Sequence, residues 1–208
     1  MNDDQMIYQY PVFIRIWHLL NALFFLVLIF TGLSMQYSNP DAPLISFPIS
    51  VKLHNICGIG LTINYLLFLI GNFVSKNGKH YRIQWKGIKE RLMKQFYYYV
   101  RGYFRKEDPP FPIDENRKFN PLQAFTYAIA MYAGVPLLFI TGWGLLFPEA
   151  ILERIFGVSG LLIADLLHVI TGFLMSIFMI AHIYLCTIGA HPISNFKSMI
   201  TGWHESHH

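Results

Sequence analysis

The stretch GLLIADLLHVITGFLMSIFMIAHIYLCTIG, residues 160–189, decides how the rest of the chain is read. It exceeds the roughly 20 apolar residues needed to cross a bilayer core about 30 Å thick. Its length and its leucine, isoleucine and phenylalanine content favour a helix, since barrel strands run nearer 10 residues and alternate. Into this apolar segment the sequence sets two imidazoles, His168 and His182. Their separation of 14 residues is about 21 Å of helix axis, and at about 100° per residue they fall within roughly 40° of one face. One helix therefore offers two ionisable groups to one interior at two depths. Ionisable groups in lipid are expensive and mark function by default.

Three further stretches repeat the pattern: roughly residues 11–36, 50–74 and 121–147. Pro11 and Pro121 suit the first turn of a helix, Asn120 is a good cap ahead of Pro121, and Pro148 and Pro192 lie just past the third and fourth spans. Pro136, inside the third, is expected to kink it. Composition agrees: 54% of the residues are hydrophobic and 13% charged, whereas ordinary soluble domains carry about 25% charged residues. A chain this apolar cannot hide its surplus in one small core. The fold expected is an all-α integral membrane protein, a four-helix transmembrane bundle forming a single domain over 1–208. The acidic start Met1-Asn2-Asp3-Asp4, with no small-residue cleavage site after the first span, reads as a retained span rather than a signal peptide. No internal repeat stands out.

The net charge of +4 does not mark a nucleic-acid binder, because the charge is concentrated. Twelve of the 16 lysines and arginines lie between Lys76 and Lys118 with five acids, a net +7, while the other two connections are short and neutral to acidic. The positive-inside rule places this loop, residues 76–119, in the cytoplasm together with both termini. Within it, Tyr81 to Tyr103 mixes bases with Trp85, Phe96 and Tyr97 to Tyr99, and is expected to form an amphipathic helix on the inner leaflet. The two cysteines, Cys57 and Cys186, sit in apolar stretches and read as small buried hydrophobes, and no C-x-x-C-H occurs for covalent haem attachment.

Four of the nine histidines lie within the spans: His18, His54, His168 and His182. With the termini inside, His18 and His182 share an inner level, and His54 and His168 an outer one. Two imidazoles from different helices at one level are what bis-histidine haem ligation needs. Gly58 and Gly172 each follow an outer histidine by four residues, so a flat macrocycle can pack on bare backbone one turn along. Close helix packing is the other use of glycine at such positions. His80 in the loop and His191 past the fourth span read as solvated, and His204, His207 and His208 as a polar tail.

These residues resemble the di-haem b-type cytochrome subunits of nickel-iron hydrogenases, formate dehydrogenase-N and thiosulfate reductase-type complexes. The stretches that carry the resemblance are Arg15-Ile16-Trp17-His18, Leu53-His54 with Gly58, Leu167-His168 with Gly172, Ala181-His182-Ile183-Tyr184 and Ser198-Met199-Ile200-Thr201-Gly202-Trp203. It covers Tyr10 to Trp203. In that family the first-span histidine pairs with the later fourth-span one and the second-span histidine with the earlier, the pairing that depth also gives. The resemblance further implies two b haems and a quinone, menaquinone or ubiquinone, beside Lys118-Phe119-Asn120-Pro121-Leu122-Gln123, where Asn120 and Gln123 can donate to a quinone carbonyl. Arg15, one turn before His18, is expected either to pair with a haem propionate or to anchor the inner leaflet.

The function expected is an electron-transfer subunit in a bacterial or archaeal cytoplasmic membrane. It relays electrons between an iron-sulfur or other redox subunit on the periplasmic side and the quinone pool. Bis-histidine iron has no open position, so chemistry on the primary substrate belongs to other subunits. Two other classes compete: a zinc or copper carrier using all four histidines, and a cofactor-free anchor. The carrier needs four imidazoles at one depth, whereas here they divide; the anchor leaves the buried imidazoles without a purpose.

Overall fold

The computed structural model describes residues 5–39, 41–112, 117–151, 153–188 and 191–206. Four helices among them are long and apolar enough to cross a membrane: α1 (Val12–Tyr37), α2 (Phe47–Val74), a third over Pro121–Leu146, and a fourth over Gly160–Cys186. Between the second and third lies a shorter helix, α3 (Ile88–Tyr97); the third and fourth spans are accordingly α4 and α5, and a terminal helix, α6, covers Ser194–Thr201. Large apolar side chains such as Leu19, Phe30, Phe73, Ile140 and Ile180 face outward, as lipid-facing residues do. The architecture is that of a multi-pass membrane helical bundle.

The spans differ from the sequence reading at their ends. The second starts at Phe47, because Pro48 fits a first turn, and the fourth stops at Cys186, after which Thr187 and Ile188 close a turn on Tyr184 and Leu185. In α4 the segment Ala130–Gly134 is a π turn ahead of Pro136. Proline deprives the preceding turn of one amide donor, and a wider turn accommodates the loss. The loop helix is shorter than Tyr81 to Tyr103. It begins only at Ile88, after Gly87 at φ 63°, and continues through Tyr98–Gly102 and Tyr103–Arg105. Two short strand pairs stand outside the all-α expectation: β1 (Gln5–Tyr8) with β4 (Trp203–Ser206), and β2 (Arg154–Ile155) with β3 (Val158–Ser159). Phe156 and Gly157, both at positive φ, make the tight turn of the second pair.

The chain divides into two compact units. One comprises residues 16–70 and 133–181. Here Trp17 Nε1 donates to the Asn64 carbonyl (3.1 Å) and Asn64 Nδ2 returns a bond to the Trp17 carbonyl (3.2 Å), stapling α1 to α2. Trp17 also stacks on the fully buried Phe68, with centroids 4.3 Å apart. Such reciprocal polar contacts suit lipid, where an unpaired donor finds no water. Gly134 lets α4 approach Met175 of α5 so closely that a Cβ there would meet its sulfur at 2.8 Å.

The other unit comprises residues up to Arg15, 71–132 and 182 onward. It is held by the ribbon of β1 and β4, by Gln9 and Tyr10 amides donating to the Gly202 carbonyl (3.0 and 3.1 Å), and by Arg15 Nη1 donating to the Ile200 carbonyl (2.6 Å). Gly202, at φ 91°, has no room for a Cβ, since Tyr8 and the Tyr10 carbonyl would lie within 2.8 Å. Met1 to Asp4, His207 and His208 fall outside the described residues.

Candidate functional site

In the first unit, the rings of His54 on α2 and His168 on α5 stand with centroids 6.1 Å apart and planes inclined at 69°. An imidazole nitrogen bonds a metal such as zinc at about 2.0 Å and sits about 1.1 Å from its ring centroid, so two imidazoles flanking one ion stand about 6.2 Å apart. The observed spacing fits one six-coordinate iron between them.

Each ring is held from behind in the same way. Thr31 Oγ1 lies 2.9 Å from His54 Nδ1, and Thr141 Oγ1 lies 2.9 Å from His168 Nδ1. Each hydroxyl already donates its one proton backward along its helix, Thr31 to the Val27 carbonyl and Thr141 to the Leu137 carbonyl, both at 2.7 Å. With that proton spent, each hydroxyl can only accept from the imidazole. The hydrogen bonds therefore assign both rings as the Nδ1–H tautomer, leaving Nε2 with its lone pair free to ligate. Both threonines are buried.

The residue after each threonine is glycine. A Cβ at Gly32 would stand 3.6 Å from His54 Cε1, and one at Gly142 would stand 3.1 Å from His168 Cε1. One turn beyond the histidines, a Cβ at Gly58 would meet nothing within 4 Å and one at Gly172 only Leu138 at 4.0 Å. Open space beside bare backbone is what a flat macrocycle requires. A hydroxyl one turn further on, Thr62 or Ser176, donates to the carbonyl of that glycine at 2.8 Å in both cases. The same order, Thr-Gly on one helix and His, Gly, Thr or Ser at four-residue steps on the next, thus occurs twice. The threonines escaped the sequence reading. The signal was the dipeptide Thr-Gly, present in both partner helices but too short to stand out as a repeat.

His18 belongs to the same unit, half-buried on α1 beside the buried Trp17. His182 belongs to the other unit. There its Nδ1 lies 3.1 Å from Tyr127 Oη, and Cys186 Sγ, one turn on, lies 3.8 Å from its Nε2. Tyr127 packs edge-on against Phe119 at 5.1 Å, and Phe119 in turn packs against Tyr81 and His80. His80 is therefore half-buried rather than solvated. Burial, with Lys118 and Lys79 nearby, pushes it down to about 4. His191 is exposed as expected, but His204 sits in strand β4, half-buried, with Nδ1 3.3 Å from Ser198 Oγ.

The polar residues heading α4 also lie in this second unit. Asn120 caps the helix: its side chain accepts from the Gln123 amide (3.0 Å), while Gln123 Oε1 accepts from the Asn120 amide (3.2 Å). Asn120 Nδ2 is committed as well, to Tyr99 Oη at 2.7 Å. Among the described residues Gln123 Nε2 has no partner, so of the two amides Gln123 keeps a donor. Lys118 is buried, donates to Asn77 Oδ1 (3.1 Å) and lies 4.6 Å over the Tyr10 ring. Burial pushes its ammonium down to about 8. Arg15 has its Nη1 on the Ile200 carbonyl and its buried Nε unpartnered among the described residues.

These positions can be set beside known proteins. A protein of Escherichia coli (strain K12) named "Putative cytochrome YdhU" is 38% identical over 204 residues, which cover 98% of this chain and 77% of that protein. The family model described as prokaryotic cytochrome b561 matches residues 9–202, nearly the whole chain. Four membrane-spanning helices and half-buried imidazoles within them accord with that match, and the chain belongs to the prokaryotic cytochrome b561 family of haem b-binding membrane cytochromes.

Proposed function

We propose that the protein is a two-haem relay across the cytoplasmic membrane. In this reading His54 and His168 hold one b haem toward the periplasmic side, and His18 and His182 hold a second toward the cytoplasm. Electrons pass between a redox subunit on the periplasmic face and a quinone near the head of α4. The observation that carries the reading is the His54–His168 pair: imidazoles from two helices with centroids 6.1 Å apart, each held at Nδ1 by an accepting threonine.

Bound haem supplies one-electron redox chemistry. The chain's own part is to hold and insulate it. His54 and His168 would together hold the iron, so the chain would offer no position there for a substrate. Gly58 and Gly172 keep the backbone clear beside them, and the surrounding apolar side chains exclude water. At the other level Tyr127 orients His182 through Nδ1. There Gln123 Nε2 is the donor available to a quinone carbonyl, Asn120 serves as cap and holds Tyr99, and Arg15 Nε is the unspent donor for a propionate. Lys118 stands by as a buried group able to exchange a proton with the cytoplasm. The basic loop lies on the cytoplasmic face, as its charge of +7 favours.

The grouping of imidazoles favours haem over a four-histidine metal carrier, since among the described residues no three histidine, cysteine or acidic side chains gather as a metal site. The test is a pyridine haemochrome assay on the purified protein. Two haems per chain is the expected result, and one or none overturns the relay.

A further inference from the structure

Thr126 and Ser176 each donate to a carbonyl one turn back, the ordinary way a hydroxyl satisfies itself in lipid, and Thr62 does so while accepting from Trp143 Nε1 at 3.2 Å. Thr31 and Thr141 do the same and also reach an imidazole nitrogen, each at 2.9 Å. The two cases come from different helix pairs, α1 with α2 and α4 with α5. They agree in the residue used, in the backward bond, in the ring nitrogen chosen and in the glycine that follows.

We infer that Thr31 and Thr141 are positioning residues that set the reduction potential of the His54–His168 iron site, each by accepting the Nδ1 proton of its histidine while the following glycine clears the ring edge. The inference rests on the reading of this pair as haem ligands.

Its chemistry runs through the ligand. A hydrogen bond accepted from Nδ1–H leaves more electron density on the imidazole, makes Nε2 a stronger donor, and favours ferric over ferrous iron. The backward bond matters because it removes the alternative. A threonine free to donate to Nδ1 would stabilise the other tautomer and turn an N–H toward the metal. A neutral hydroxyl also shifts the balance less than a carboxylate would, and brings no second charge into the bilayer core.

The test uses the intact membrane protein with its native haem complement and the variants Thr31→Val, Thr141→Val and their double. Valine keeps the shape and removes the hydroxyl acceptor, leaving to each ring only the backbone carbonyl of Leu28 or Leu138. Redox titration is followed spectrally, with electron paramagnetic resonance of the ferric state reporting imidazole orientation. In the double variant the oxidised-to-reduced ratio of one haem at fixed ambient potential should fall about tenfold, a rise of about 59 mV for a one-electron couple. The second haem should stay put. Thr31→Ser and Thr141→Ser keep the hydroxyl and should restore the wild-type value.

Full haem content with unchanged potentials in the double variant overturns the inference. If the valine variants lose a haem, the serine variants decide: retention at wild-type potential supports the hydroxyl's role, and loss shows that packing alone was at work. A wild-type protein that lacks a haem liganded by His54 and His168 defeats the parent reading instead, and is recognised before any threonine is changed.

Discussion

Around His54 and His168 each imidazole rests on a threonine whose proton is already committed to its own helix. Around His182 the partner is a phenol, Tyr127, which has a proton of its own to give as well as an oxygen that can accept. The first arrangement fixes one direction for the hydrogen bond and therefore one tautomer. The second leaves the direction to its surroundings, which in that unit include His80, Lys118, Asn120 and Gln123. A site that only passes electrons profits from a fixed protonation pattern, whereas one beside a quinone must work where protons are also exchanged. The contrast accords with the proposed division of labour between the two histidine pairs.

The sharpest way to break this comparison is to delete one ligand from each region. His168→Ala should halve the haem content and remove one spectral component, and His182→Ala should remove the other. Loss of the same component in both variants would merge the two sites into one. Reduced-minus-oxidised spectra with haem quantitation make the measurement.

A smaller effect separates the two glycines that seat the rings. Gly142→Ala sets a Cβ 3.1 Å from His168 Cε1, so the ring must shift, at a cost on the order of 1–3 kcal/mol in haem retention. Gly32→Ala, at 3.6 Å, makes ordinary contact and should be close to neutral. Competition for haem with an apo-globin reads both, and equal losses would show that the two seats are not built as described.

In the other region, Gln123→Ala should weaken quinone binding by about 1–3 kcal/mol while leaving both haems in place. Asn120→Ala should act on stability instead, by about 1 kcal/mol, because its bonds are those of a helix cap. Quinol-driven haem reduction in proteoliposomes, beside thermal unfolding, separates the two roles; reversed effects would return the quinone to Asn120.

A further effect is a pH dependence. Lys118 is held at about 8 when folded, against an ordinary 10.5. Between these values the unfolded chain binds the proton and the folded one does not, so stability should rise as pH rises through that window and the burial penalty should persist in full below it. Lys118→Met should flatten this part of the thermal-unfolding profile; an unchanged slope would mean that the ammonium is solvated.

Long apolar segments and the placement of histidine were legible from sequence, because span length and helix period are physical constraints that leave a pattern tens of residues long. The cap at Asn120 was legible for a similar reason, being a local motif closed within three residues. Thr31 and Thr141 were not. Each is read against a histidine 23 or 27 positions away on another helix, and a threonine in a span has an ordinary use that hides the special one. His80 was misread because its cover, Phe119, is supplied from across the basic loop. The helix within that loop was placed too early because Gly87, in a left-handed conformation, starts it six residues after Tyr81. Span ends moved where proline could be absorbed into a first turn, as at Pro48.

The ribbon of β1 and β4 bears on how the molecule is made. Gln5–Tyr8 pairs with Trp203–Ser206, so the first strand emerges from the ribosome with no partner and waits until all four spans have been translated. At roughly 5–20 residues per second that wait is about 10–40 s. Four spans must enter the bilayer in the meantime, and the Gly202 carbonyl that receives the Gln9 and Tyr10 amides follows all four of them in the chain. Closing the ribbon thus joins residues on either side of the four spans, and it follows the translation of all four.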